Sequence, residues 1–111
     1  MIVATTHTIA GKRIVKTIGI VRGSTVRARH AGRDLLAFLR NLVGGEIQEY
    51  TKMLAESREQ ALDRMMSDAK KIGANAVVGA RFSTSDIAAG AAEILVYGTA
   101  VIVEDETEDE G

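Results

Sequence analysis

The stretch from Ile47 to Ile72, closed by Gly73, constrains the chain more than any other. Apolar residues recur at Tyr50, Met53, Leu54, Ala61, Leu62, Met65, Met66, Ala69 and Ile72. The gaps are mostly three and four, which places these side chains on one stripe of an α-helix. Ser57 and Arg58 interrupt the stripe, and Glu49, Lys52, Glu56, Glu59, Asp63, Ser67 and Lys70 occupy the other face. The sequence has no proline to break the helix. Glu46 and Glu49 fall at the positive end of the helix dipole and Lys70 and Lys71 at the negative end. Gly73 stands where a helix-terminating residue of positive φ is needed. A helix over residues 47–72 measures about 39 Å. A compact 111-residue monomer has a radius of gyration near 13 Å and a diameter of roughly 34 Å. The helix is thus expected to overhang its domain or to be covered at its ends by neighbouring subunits.

Three apolar, β-branched runs flank it. Residues 14–25 alternate, residues 76–83 follow the helix stop, and residues 94–103 are apolar on both faces. Residues 2–5 read as a further short strand, and residues 83–92 as a loop of small residues. Leu35, Phe38, Leu39, Leu42 and Val43 make a second, shorter helical stripe ahead of Gly44-Gly45. The expected fold class is α+β. It is a two-layer β-α-α-β-β subunit with a three-stranded sheet of order 1-3-2, outer strands parallel and central strand antiparallel. Both helices lie on one face, with the short N-terminal strand in addition. The other face is then left apolar and bare. Such a surface is unfavourable in a monomer, so identical subunits are expected to cover it in a closed ring.

Charge divides the chain. Residues 104–110 hold six of the fifteen acidic groups, and the remainder has fourteen basic against nine acidic residues. The domain is expected over 1–103, with 104–111 as a disordered acidic tail. Between residues 12 and 40 the basic residues Lys12, Arg13, Lys16, Arg22, Arg27, Arg29, Arg33 and Arg40 face only Asp34. This reads either as a solvated basic face or as an anion-binding pole. The absence of cysteine excludes disulfides, thiolate metal sites and cysteine nucleophiles. No signal sequence or membrane-length apolar run is legible, and a cytoplasmic protein is expected.

Candidate site residues are few. Gly44-Gly45 offer free N–H groups at the start of the long helix with Arg40 one turn earlier, either as an anion cradle or as a tight helix–helix joint. Glu46 and Tyr50 line the same corner, unless Tyr50 is core. His7 and His30 are the only histidines and have no second ligand at helical spacing. Met53, Met65 and Met66 read as core, as do Phe38 and Phe82, which leaves no stacking platform for nucleic acid. No catalytic triad, His-Glu-x-x-His or dinucleotide fingerprint is present, so binding is favoured over catalysis.

The run Arg33-Asp34, Leu39-Arg40-Asn41-Leu42-Val43-Gly44-Gly45 and Tyr50, with Gly73-Ala74-Asn75-Ala76-Val77-Val78-Gly79 and Tyr97-Gly98-Thr99-Ala100-Val101, resembles the YbjQ family over residues 1–103. The resemblance implies a subunit of dodecin-like fold, assembled as a pentamer or a dimer of pentamers. It also implies a possible metal cofactor, since members are labelled heavy-metal-binding. Its motif residues fall on Arg33, Asp34, Arg40, Gly44, Gly45 and Tyr50. The resulting expectation is a homo-oligomeric protein that binds a metal ion or small anion between subunits. The alternatives are an enzyme with an intersubunit site of Arg40, Glu46 and Tyr50, or a module binding nucleic acid or protein through residues 12–33.

Overall fold

The computed structural model describes residues 1–28, 45–88 and 91–107. Its elements are β1 (Ile2–Val3), β2 (Lys12–Ala28), α1 (Gly45–Lys71), β3 (Ala76–Ala88) and β4 (Ala91–Asp105). The sheet has four strands in the order β1-β3-β4-β2. β1 runs parallel to β3, and β4 runs antiparallel to both β2 and β3. This corrects the expected two-helix, three-stranded 1-3-2 subunit: the described residues hold one helix and a four-stranded mixed sheet. Residues 2–5, expected as a short strand added at an edge, supply β1, which is the edge strand beside β3 and makes the fourth strand of the sheet. The proposed helix around Leu35–Val43 lies outside the described residues.

The strands are also longer than their apolar runs. The small residues read as a loop over 83–92 continue β3 to Ala88 and start β4 at Ala91. Their backbone pairing, Ser83↔Leu95 through Asp86↔Ala92, overrides weak strand propensity. A 17-residue strand such as β2 spans about 56 Å. The molecule is accordingly elongated, 67 × 26 × 17 Å with a radius of gyration of 18.4 Å, and not the compact body assumed from chain length.

Helix α1 rests on one face of the sheet, mainly over β2 and β4. Ala61, Met65 and Ala69 are fully buried against Val21, Val77, Ile94, Val96 and Ala100. Ser57, an interruption of the stripe in sequence, is itself fully buried. The Thr25 hydroxyl donates to its carbonyl oxygen at 3.1 Å. Gly23 explains the closeness of the seam. A Cβ there would sit 2.2 Å from the Ala61 carbonyl oxygen and 2.4 Å from the Met65 nitrogen. The helix ends at Gly73, whose φ is +90°. Gly73 N–H bonds the Lys70 carbonyl and Ala74 N–H the Ala69 carbonyl, each at 3.0 Å, the paired closure of a glycine-terminated helix. Ile72, assigned to the apolar stripe, falls beyond the last residue of the helix and is 47% exposed.

The opposite face is partly clad by the chain itself. Ala76, Val78, Val101 and Val103 form a second buried cluster beneath Ile9 and Ile14. Residues 4–8 are tied along β3 by Ala4 N–H to Val77 O and Gly79 N–H to Thr6 O. The bare region is therefore smaller than the sequence implied. It is confined to the far half of the sheet, where Ile20 is 81% exposed and Val26 55%.

Asn75 locks the entry of β3. Its amide donates to Val103 O at 2.9 Å and accepts from Val103 N–H at 2.8 Å, while its own N–H bonds Val101 O. β4 runs through Glu104 and Asp105, which pair with Arg13 and Lys12 on β2.

Candidate functional site

Arg33, Arg40, Gly44 and His30 lie outside the described residues. Gly45 opens α1, and Glu46 and Tyr50 fall in its first turns, one helical turn apart on the backbone. His7 is described: it is exposed, and its ring lies against Gly79, with Nδ1 3.4 Å from where a Cβ at that glycine would sit. Among the described residues no three His, Cys, Asp or Glu side chains gather as a metal site.

The described residues do bring other groups together. Val96 is buried under the helix, so its neighbour Tyr97 points to the other face. Tyr97 stands directly opposite Arg22 on β2 and Arg81 on β3, making a cross-strand row Arg22–Tyr97–Arg81. Tyr97 is 42% exposed. The Arg81 guanidinium donates from Nη1 to Thr5 O and Ala80 O, both at 2.8 Å, and so braces the N-terminal segment against the sheet. The Arg22 side chain has no ion pair or hydrogen bond among the described residues.

Arg22 also borders two clefts along the outer edge of β2. One, of about 690 Å³, is lined by Arg22, Ser24, Arg64, Asp68, Glu93 and Leu95. The other, of about 480 Å³, brings Ile20 and Ile72 beside Arg22, Asp68 and Lys71. In the first, Arg64 Nη1 donates to Ser24 O at 2.5 Å and so covers one carbonyl of the edge strand. The Asp105 carboxyl is held below the ordinary Asp value, first by its hydrogen bond to Lys12 and then by the charge of that ammonium. It stabilises the strand end and is remote from the clefts.

No single strand's pattern predicts the Arg22–Tyr97–Arg81 row. Register made it, and register is invisible to single-strand periodicity. Phe82, expected in the core, is 48% exposed, because its face of β3 extends beyond the cover of α1.

These features define a small α+β domain with a long, basic edge strand and a part-bare sheet. The chain belongs to the YbjQ family, whose model, described as "Putative heavy-metal-binding", matches residues 1–104. It is 62% identical over 101 residues to a UPF0145 protein of Methanosarcina acetivorans, covering 91% of this chain and 95% of that one. It is 58% identical over 106 residues to a UPF0145 protein of Pyrococcus furiosus, covering 96% and 93%. In fold it is similar to the crystal structure of a DUF74-family protein of unknown function from Pediococcus pentosaceus. The TM-score is 0.55 at 17% identity, over 94% of this chain and 98% of that one. No described helix is long and apolar enough to cross a membrane. The family description names heavy metals, and the described residues do not fit one: the chain has no thiolate and no described ligand cluster.

Proposed function

We propose that this chain is the subunit of a homo-oligomeric ring of five that binds a small anion between subunits. The observation that carries the reading is the amount of uncovered surface. The chain exposes 7433 Å². A compact monomer of 11.8 kDa exposes about 5900 Å². The excess, roughly 1500 Å², equals what two standard interfaces cover at about 800 Å² per side, and a ring subunit has two neighbours. Two described features suit a copy of the chain. Among the described residues β2 is a 17-residue strand at the sheet edge, a template for strand addition. Beside it lie the exposed Ile20 and Val26.

The ligand corner of this reading is Arg33, Arg40, Gly44, Gly45, Glu46 and Tyr50, supported by residue type and by the position of Gly45–Tyr50 at the start of α1. An anion is favoured over a metal ion because His7, the described candidate ligand, stands without a partner cluster. The acidic segment 104–111, whose first two residues end β4, is proposed to be dispensable for assembly. Native mass spectrometry of protein taken gently from cells tests both halves. The expected spectrum is a five-chain ion carrying a small additional mass that Arg40→Ala removes. A bare single chain overturns the proposal.

A further inference from the structure

We infer that residues 22–28 of β2 in one copy of the chain pair, in parallel, with residues 82–88 of β3 in the next copy. Helix α1 of the first copy then covers Phe82 of the second. This pairing deepens the ring proposed above, on which it rests, by naming the strands that join it.

Three observations support it. First, the sheet has two different open edges at one end. The N-terminal segment follows β3 only as far as Arg81: Gly79 N–H bonds Thr6 O, Ala80 N–H bonds Ala4 O and the Arg81 side chain bonds Thr5 O. From Phe82 to Ala88, β3 has β4 on one side and no described strand on the other. β2 is the opposite edge of the described sheet. Its residues 22–28 lie level with that part of β3, since both are in register with residues 91–97 of β4. Unlike edges join head to tail and close into a ring when repeated about an axis. β2 and β3 are each antiparallel to β4, hence parallel to one another. Copies rotated about an axis along the strands keep that sense.

Second, α1 is offset on the sheet. Gly23, Val96 and Phe82 are in register across β2, β4 and β3. At this level the helix backbone rests on Gly23, where a Cβ would lie 2.2 Å from the Ala61 carbonyl oxygen. Val96 is fully buried, whereas Phe82, on the same face one strand further on, is 48% exposed. Three strands are about 14 Å wide, and a helix with its side chains about 10–12 Å, so one helix seated toward β2 leaves β3 bare. Its outer flank, with Arg64 and Asp68, borders the cleft along the outer edge of β2. A second copy's β3 laid against β2 brings its Phe82 beneath that flank. The aliphatic stem of Arg64 and its guanidinium both suit a phenylalanine ring. Arg64 now donates to the Ser24 carbonyl, and the incoming strand takes its place there.

Third, β2 is divided where the pairing must stop. Level continuation of the sheet along residues 12–18 would meet the N-terminal segment that already lies on β3. Two register shifts, between Ile14 and Lys16 and between Thr17 and Gly19, separate this half of β2 from residues 22–28. Such bulges bend a strand and increase its twist.

Disulfide trapping in the full-length protein tests this, since the chain has no cysteine of its own. Ser24→Cys or Val26→Cys on β2 is combined with Ser83→Cys or Ser85→Cys on β3; none of these four positions is buried. Within one chain β4 holds the two strands roughly 10 Å apart, beyond the reach of a disulfide, whereas adjacent strands at about 4.8 Å are within it. Mild oxidation is expected to give a ladder of two to five linked chains from at least one of the four combinations, and no links from the single variants. Phe82→Ala is expected to weaken assembly by at least about tenfold in sedimentation. Links formed by Ser24→Cys or Val26→Cys alone, the sign of a two-fold contact between β2 strands, overturn the inference. An assembly indifferent to Phe82→Ala overturns the cover by α1. A five-chain species that no combination links overturns the pairing and leaves the ring standing. The mass of a single chain before oxidation overturns both.

Discussion

Gly23→Ala puts the seam between helix and sheet to the test. The added Cβ would lie 2.2 Å from the Ala61 carbonyl oxygen and 2.4 Å from the Met65 nitrogen. Both neighbours are helix backbone, so no side-chain rotation relieves the clash. A carbon needs about 3.2 Å or more from such an oxygen, so α1 must lift by about 1 Å. That lift separates Ala61 and Met65, both fully buried, from the strands beneath them. Overpacking of this kind costs about 1–3 kcal/mol, and loss of packing along the lifted helix puts the expected total at about 3 kcal/mol. For a domain of this size that lowers Tm by about 12 °C. Urea titration followed by circular dichroism is the assay, with the midpoint falling and the slope retained. Ser24→Ala is the control. Its side chain faces away from the helix and its carbonyl, which Arg64 holds, is kept; the expected change is within about 0.5 kcal/mol. A Gly23→Ala variant as stable as that control would show that the helix does not sit on β2 as described.

Gly73→Ala forces a side chain into φ +90° and is expected to lose about 1 kcal/mol, read by thermal melting. Val101→Asp places an unpaired carboxylate at a position 1% exposed in the central part of the sheet, and is expected to abolish soluble assembly; a normally sized soluble product would refute the strand order. The Asp105 carboxyl has a folded pKa below its unfolded value. Its contribution is therefore present above the ordinary Asp pKa and is lost as pH falls below it and through the depressed folded value. Amide exchange at Lys12 and Asp105 should consequently accelerate below about pH 4, and pH-independent protection would exclude the pair as a clasp.

What the sequence made legible was set by local signals. The glycine stop at Gly73 was read because its backbone requirement is local, and α1 was bounded to within two residues at each end because its stripe repeats over many turns. What remained hidden was long-range. The strand at residues 2–5 was legible, but its partner was not: β1 pairs with β3, 74 positions along the chain. Ser57 looked like a break in the stripe, yet a small residue is what a seam against Gly23 and Thr25 requires. Asn75 has no local signature of its role, although both ends of its amide bind Val103. The candidate corner at 33–50 was chosen on residue type, while Arg22–Tyr97–Arg81 arises from the register of three strands and has no signature within any one of them.

The central claim is that one chain does not cover its own surface. Sedimentation equilibrium of the purified protein at micromolar concentration tests it most directly. The account predicts a single species of about 59 kDa, five chains of 11.8 kDa, unchanged on dilution. A stable, monodisperse species with the mass of one chain would contradict it.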